Sequence, residues 1–237
     1  MALRPFLMAV LLAGAMQAHD IITTPITWSR EISRIVYARC ASCHHEGGRA
    51  FSLMTYKDAR PWTVAIREEV LQRNMPPWGA IKGFGDFRND QGLTPEEFEL
   101  IVRWSEGGVP EGELVDLPPM PKFDAPSVPD SMPGEIVASG DLQLTRAFTL
   151  GGLVPRQVPA KASFQILAEL PDGSVQPLLW LVNYKPEFRH PFILRKDLEL
   201  PARTVIRGIP AGASVALLPH VPEPPAPPAE DHTAHTN

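Results

Sequence analysis

Cys40-Ala41-Ser42-Cys43-His44 is the stretch on which the reading of this 237-residue chain turns. Cys40 and Cys43 are its only two cysteines. Two cysteines placed at random would stand three apart in roughly 1 in 120 chains of this length, and with a histidine directly after them on the order of one in four thousand, so the pattern carries information. A disulfide framework needs more cysteines than this. A plain C-x-x-C disulfide or redox pair is the bland alternative, and it leaves His44 without a role. A zinc site would want a second Cys or His pair at ligand spacing, and none stands at a useful distance.

Two thiols at this offset followed directly by an imidazole form the haem c attachment pattern. The thiols add across the two vinyl groups of one haem as thioethers, and the three-residue offset places both sulfurs on one edge of the macrocycle. The next residue, His44, then offers its imidazole to the iron. A low-spin electron carrier commonly completes the iron with a Met sulfur. Met75 is the candidate, in a Met75-Pro76-Pro77 segment whose two prolines restrict the backbone and lower the entropy cost of ligation. Met54 is the rival, closer in sequence and more readily read as core filler. The metal ligands expected here are therefore His44 and Met75. His45 cannot reach the opposite face of the same iron.

The flanking sequence supplies helices. Ile32, Ile35, Val36 and Cys40 share one helical face over residues 27 to 40, with Thr27 or Ser29 as cap and Glu31 in the first turn. Gly47 and Gly48 break a loop over residues 45 to 54. A second helix lies between Thr55 and Arg73, opened by Thr55 and Asp58 and firm from Asp58 or Pro61 onward. Asn74-Met75-Pro76-Pro77 ends it. Residues 79 to 92 form a glycine-rich loop. The third helix has Thr94 as N-cap, Pro95 at the first turn and Glu97 completing a capping box. Phe98, Ile101, Val102 and Ser105 line one face, and Gly107-Gly108 is the stop.

Helix, Cys40-Ala41-Ser42-Cys43-His44, helix, Met75-Pro76-Pro77 and helix together resemble a class I c-type cytochrome domain over residues 26–112. Ala59-Arg60-Pro61-Trp62, Met75-Pro76-Pro77-Trp78 and the run from Trp104 to Pro110 resemble the cytochrome c modules of exported bacterial proteins, some fused to copper-monooxygenase-like β-sandwich domains. The resemblance implies one covalent haem c, with thioethers at Cys40 and Cys43, His44 proximal and Met75 distal. It also implies that the face of Ile32, Ile35 and Val36 packs on that of Phe98, Ile101 and Val102. One departure stands out: His45-Glu46-Gly47-Gly48 replaces the proline whose carbonyl usually accepts the ligand histidine's N–H, so the acceptor must be another group. Arg60, Trp62 and Trp78 are candidate partners of the haem propionates, through a guanidinium fork and indole N–H donors. Packing for the tryptophans and a surface place for Arg60 are the alternatives.

Beyond residue 112 the composition changes. Of 27 prolines, 21 follow residue 109. Residues 113–135 read as a Pro-rich extended linker. Residues 136–218 carry short apolar runs at Ser163 to Leu170, Ser174 to Val182, Phe192 to Leu194, Thr204 to Gly208 and Ser214 to Leu218. Asp172-Gly173 makes a turn between two of them, which suggests a small antiparallel β-sandwich. Residues 219–237 are Pro, Ala, Glu and His, read as a disordered tail. His190 and His220 read as turn or surface residues, and His232 and His235 as tail residues. No His-His pair follows residue 110, so a copper site in the second half is not expected. The expected fold class is thus multidomain α plus β: a small all-α cytochrome c fold, a Pro-rich linker and a small antiparallel β-sandwich.

Arg4 followed by an apolar run from Phe6 to Met16 reads as a signal peptide over residues 1–18, with cleavage after Ala18 or Ala15; an uncleaved anchor is the alternative. The run is about half the ~20 residues needed to span a bilayer, and nothing later is long enough. A soluble exported protein, periplasmic in a bacterium, is the expectation. The net charge of −5 excludes the basic excess that nucleic acid would require. Residues 26–112 hold 11 basic and 12 acidic residues, so charge does not steer a partner strongly. The function expected is single-electron carriage between redox proteins, without substrate turnover, docking through an apolar patch near Phe84 and Phe87. Two alternatives remain: a haem enzyme or gas-binding sensor with an open distal site, and a partner-docking subunit of a larger periplasmic oxidoreductase.

Overall fold

Thr27 starts the first helix. Its side chain accepts from the Arg30 N–H, and its own N–H donates to Glu31 Oε2 at 2.8 Å. A π-helical turn, Trp28–Ile32, runs into α1, Ser33–Arg39. In this computed structural model, residues 25–123 and 131–222 are described. The signal peptide call (1–18) and residues 223–237 of the tail lie outside them, as do residues 124–130 of the linker. No helix among the described residues is long and apolar enough to cross a membrane.

The second helical stretch comes in three pieces: α2, Tyr56–Ala59, a 3-10 turn Arg60–Trp62 carrying Pro61, and α3, Thr63–Leu71. Thr55 caps the first piece through the Asp58 N–H. Helix α4, Pro95–Glu106, has the expected capping box, with Thr94 and Glu97 satisfying each other's backbone N–H groups. Its buried face is Ile101 and Trp104, with Phe98 at the margin. Val102 stays off this core, which corrects the expected helix contact. The first helix meets α4 chiefly through Trp28, whose ring lies 6.1 Å from that of Trp104. Residues after α4 return across the first helix: Trp28 N–H donates to Pro110 O and Ser29 N–H to Glu111 O.

The start of the Pro-rich segment is also anchored. Leu114–Asp116 forms a 3-10 turn, Arg34 Nη2 donates to Asp116 O at 3.1 Å, and Leu117 packs on the helical core. Its far end is held by the Arg156–Glu135 ion pair. Both described ends of this segment are thus fastened to the folded units.

Eight strands follow in two antiparallel four-stranded sheets. Strands β1 (Ile136–Ala138), β8 (Ser214–Leu218), β3 (Phe148–Gln157) and β6 (Phe192–Leu200) form one, in that order. Strands β2 (Leu142–Gln143), β7 (Val205–Arg207), β4 (Phe164–Glu169) and β5 (Val175–Leu181) form the other. Leu150, Leu153, Phe192 and Leu217 of the first sheet share a core with Ile166, Leu179, Leu181 and Ile206 of the second. The first sheet is covered on its other face too, by Val221 and Met132 packing on Val154, Ile193, Ala216 and Leu218. Burial on both faces explains why β8 reads Ser-Val-Ala-Leu-Leu rather than alternating. It also corrects the tail boundary, because Val221 is buried and Arg88 Nη2 donates to the carbonyls of Val221 and Pro222.

The glycine-rich loop of residues 79–92 joins the two units. It runs along the outer edges of both sheets. Ala80 bridges Leu181 on β5 and Phe87 bridges Leu194 on β6. Trp78 and Phe87 belong to the β core. Gly85 has φ +86°, and a Cβ there would lie 2.5 Å from the Phe87 ring and 2.6 Å from Leu178 O, so only glycine fits. The apolar docking patch expected at Phe84 and Phe87 is therefore not there. Phe87 is 4% exposed, and Phe84 packs edge-on against Trp180.

Candidate functional site: a cavity between two thiols, an imidazole and a thioether

Helix α1 delivers the motif. Cys40 sits at its C-cap and donates its N–H to Val36 O, and the N–H groups of Cys43 and His44 both return to Cys40 O, at 3.1 and 3.0 Å. The two cysteines are not joined to each other. Burial pushes the Cys40 thiol up to about 12, helped by the charges of Glu97 and Cys43 and opposed by Arg39. Burial thus disfavours the free thiolate at Cys40. A thioether at the same place would carry no charge to desolvate.

His44 is oriented by the loop that follows it. Its Nδ1 lies 3.0 Å from Phe51 O. A carbonyl can only accept, so Nδ1 carries the proton and Nε2 keeps its lone pair. Phe51 thus supplies the acceptor that sequence reasoning left open. The loop is closed by Ala50 N–H to Cys43 O and Leu53 N–H to His44 O, both at 3.0 Å. The Phe51 ring meets His44 edge-on at 5.0 Å and stacks on Trp62 at 4.4 Å. His45 turns elsewhere, to Ala41 O and the ring of Phe123.

These groups face a cavity of about 410 Å³ whose wall includes Cys40, Cys43, His44, Met75 and Trp62. Trp28, Ile32, Leu53, Ile101 and Trp104 add apolar surface to it. Cofactor pockets span roughly 300–1,000 Å³ with mostly apolar walls and a few placed polar groups, and this one falls within that range. The donor set fits a haem c: two sulfurs three residues apart, one imidazole with a free Nε2, and one thioether. Met54 is buried in the core and is not on the wall. Among the described residues no cluster of three or more His, Cys, Asp or Glu is assembled, as a zinc site would need.

Two of the expected propionate partners stand elsewhere. Arg60 is exposed and lies over the Tyr56 ring at 6.0 Å, off the cavity wall. Trp78 is buried in the β core, stacked on His190 at 4.8 Å and 8°. The cavity instead gathers Arg39, Arg49 and Gln91. Arg39 is committed to Glu97, with Nε at 3.0 Å from its carboxylate. Arg49 makes no hydrogen bond or ion pair to another described residue, so it is the cation available to an anionic substituent.

Met75 is half-buried at the head of a strap running from Asn74 to Trp78. Glu69 O at the end of α3 accepts from both Asn74 N–H and Met75 N–H. The β unit holds the strap on either side of Met75. Lys185 Nζ donates to Asn74 O and Oδ1, each at 3.2 Å, and Val182 N–H donates to Gly79 O at 2.8 Å. His190 Nε2 lies 3.2 Å from Trp78 O, and its Nδ1 lies 3.0 Å from Pro191 O. Burial pushes the His190 imidazole below the usual histidine range, against the carbonyls that favour its protonated form. Searches of family models, curated proteins and solved structures gave no match to this chain.

Proposed function

We propose that this chain is an exported mono-haem c-type electron carrier, with the helical unit as a cytochrome c domain and the two sheets as an attached β-sandwich. One observation supports this above the others: Cys40, Cys43 and His44, together with Met75, 31 residues further along the chain, line a single apolar cavity. A haem held there would supply a one-electron iron couple.

The chain's own residues would do the rest. Cys40 and Cys43 tether the group, so that it survives export and partner exchange. Phe51 O holds the proton on His44 Nδ1, which would leave Nε2 for the iron and make it a stronger donor. Met75 offers a soft thioether, which favours the reduced state relative to a second imidazole. The apolar wall excludes water and keeps the charge change in a low dielectric. Trp62 and Phe51, 45% and 48% exposed, form an apolar surface beside the cavity where a redox protein could approach.

The test is optical. The protein is produced in a host that attaches haem c, reduced and treated with pyridine, and its visible spectrum is expected to be that of a doubly thioether-linked haem. The oxidised protein is expected to show a far-red charge-transfer band of iron–methionine ligation. Prompt cyanide or CO binding at neutral pH would instead mean an open distal site and overturn the role given to Met75.

A further inference from the structure

A second cavity, about 700 Å³, lies on the other side of the Met75 strap, between the helical unit and the β unit. Val70, Met75, Pro76, Pro77, Leu93 and Phe188 belong to the walls of both cavities, so the strap is a shared partition. No expectation from the sequence covers this space, because it forms where residues 70–82, 92–98 and 182–190 meet.

Its charge is one-sided. Among the described residues no aspartate or glutamate stands on its wall, in a protein whose net charge is −5. Three permanent cations do: Arg73, Lys82 and Lys185. Lys82 is neutralised by Asp90. Among the described residues the Lys185 ammonium meets only the uncharged Asn74, and the Arg73 side chain makes no hydrogen bond or ion pair. Two uncompensated cations thus share a cleft with Trp78, Tyr184, Phe98 and Phe188. Arg73 and Asn183 also carry left-handed backbone, at φ 55° and 48°, a conformation non-glycine residues hold only where the surroundings impose it.

We infer that this cleft binds a small monocarboxylate with an apolar body, its carboxylate at Arg73 and Lys185 and its body against the aromatic wall. A guanidinium offers a planar fork to a carboxylate. The apolar body answers the rest of the lining, so a bare inorganic anion would leave most of the cleft unfilled. The inference stands on this cleft alone and not on what fills the neighbouring cavity.

The test uses the full mature protein and benzoate as probe, followed by titration calorimetry, with acetate and benzyl alcohol beside it. Benzoate is expected to bind at one site, about tenfold or more tighter than acetate, which lacks the apolar body, or benzyl alcohol, which lacks the charge. Arg73→Gln is expected to weaken benzoate at least about tenfold while leaving the thermal midpoint unchanged, because the exposed guanidinium has no partner to lose. Amide shifts in the nuclear magnetic resonance spectrum are expected to concentrate at Gly79, Ile81 and Asn183. Absence of benzoate binding, equal binding of benzyl alcohol, undiminished binding to Arg73→Gln, or shifts confined to other regions would each overturn the inference.

Discussion

His44 and Met75 face one cavity but are held by different parts of the chain. The His44 side is local: Cys40 O, Cys43 O, His44 O and Phe51 O close the motif within a short loop. The Met75 side is remote. Lys185 and His190, which pin Asn74 and Trp78, lie 111 and 112 residues further along. The lesson is that the two sides of the cavity are held independently, so that attachment at the cysteines and ligation by Met75, as proposed, would be separable. The first depends on a segment that folds on its own neighbours, the second on the β unit being seated against the strap.

The sharpest break in that comparison is the double change Cys40→Ala with Cys43→Ala. It is expected to abolish covalent pigment entirely, read as a colourless denatured protein, while the β unit still folds. Met75→Ala is expected to keep covalent pigment, lose the far-red band and lower the reduction potential, read by spectroelectrochemistry. Gly85→Val forces side-chain atoms into Phe87 and Leu178 O. It is expected to cost about 1–3 kcal/mol in denaturant unfolding and to weaken the methionine band without reducing attachment. Lys185→Met removes both bonds to Asn74 and is expected to cost about 1 kcal/mol, again with a change in the Met75 signature and none in covalent yield.

The smallest effect is a pH limb. His190 has a depressed pKa, so it is neutral when folded near neutral pH. Its contribution to stability is present above the unfolded histidine value and is lost as pH falls through the lower folded value. His190→Gln is expected to flatten the acid side of a stability–pH curve below about pH 6.5, the unperturbed histidine value. An unchanged acid limb would place its origin elsewhere.

Much of this architecture was legible. The helix starts followed from side-chain oxygens that satisfy free N–H groups, and Thr27, Thr55 and Thr94 all cap as their neighbours imply. The motif and Met75, singled out from spacing and the neighbouring prolines, line one cavity. The longest strand, β3, was not legible. It contains Gly151, Gly152 and Pro155, which punctuate a sequence read locally. The structure supplies the reason for the glycines: a Cβ at Gly151 would lie 2.4 Å from Pro219 O, and one at Gly152 2.8 Å from Phe192 O. Trp78 and Arg60 were misplaced for the same kind of reason. Proximity in sequence to Met75 and Trp62 suggested the cavity, whereas Trp78 was drawn to His190 and the β core by a contact that no local pattern encodes. Arg49 was overlooked because nothing but loop geometry turns it toward the cavity.

The proposed function requires a porphyrin linked covalently to Cys40 and Cys43. Intact mass spectrometry of the mature exported protein, from a haem c-competent host, tests it most directly. The mass is expected to exceed the polypeptide by one haem, with the excess retained after denaturation and located on the peptide containing residues 40–44. A polypeptide mass alone, with both thiols free to alkylation, would contradict it.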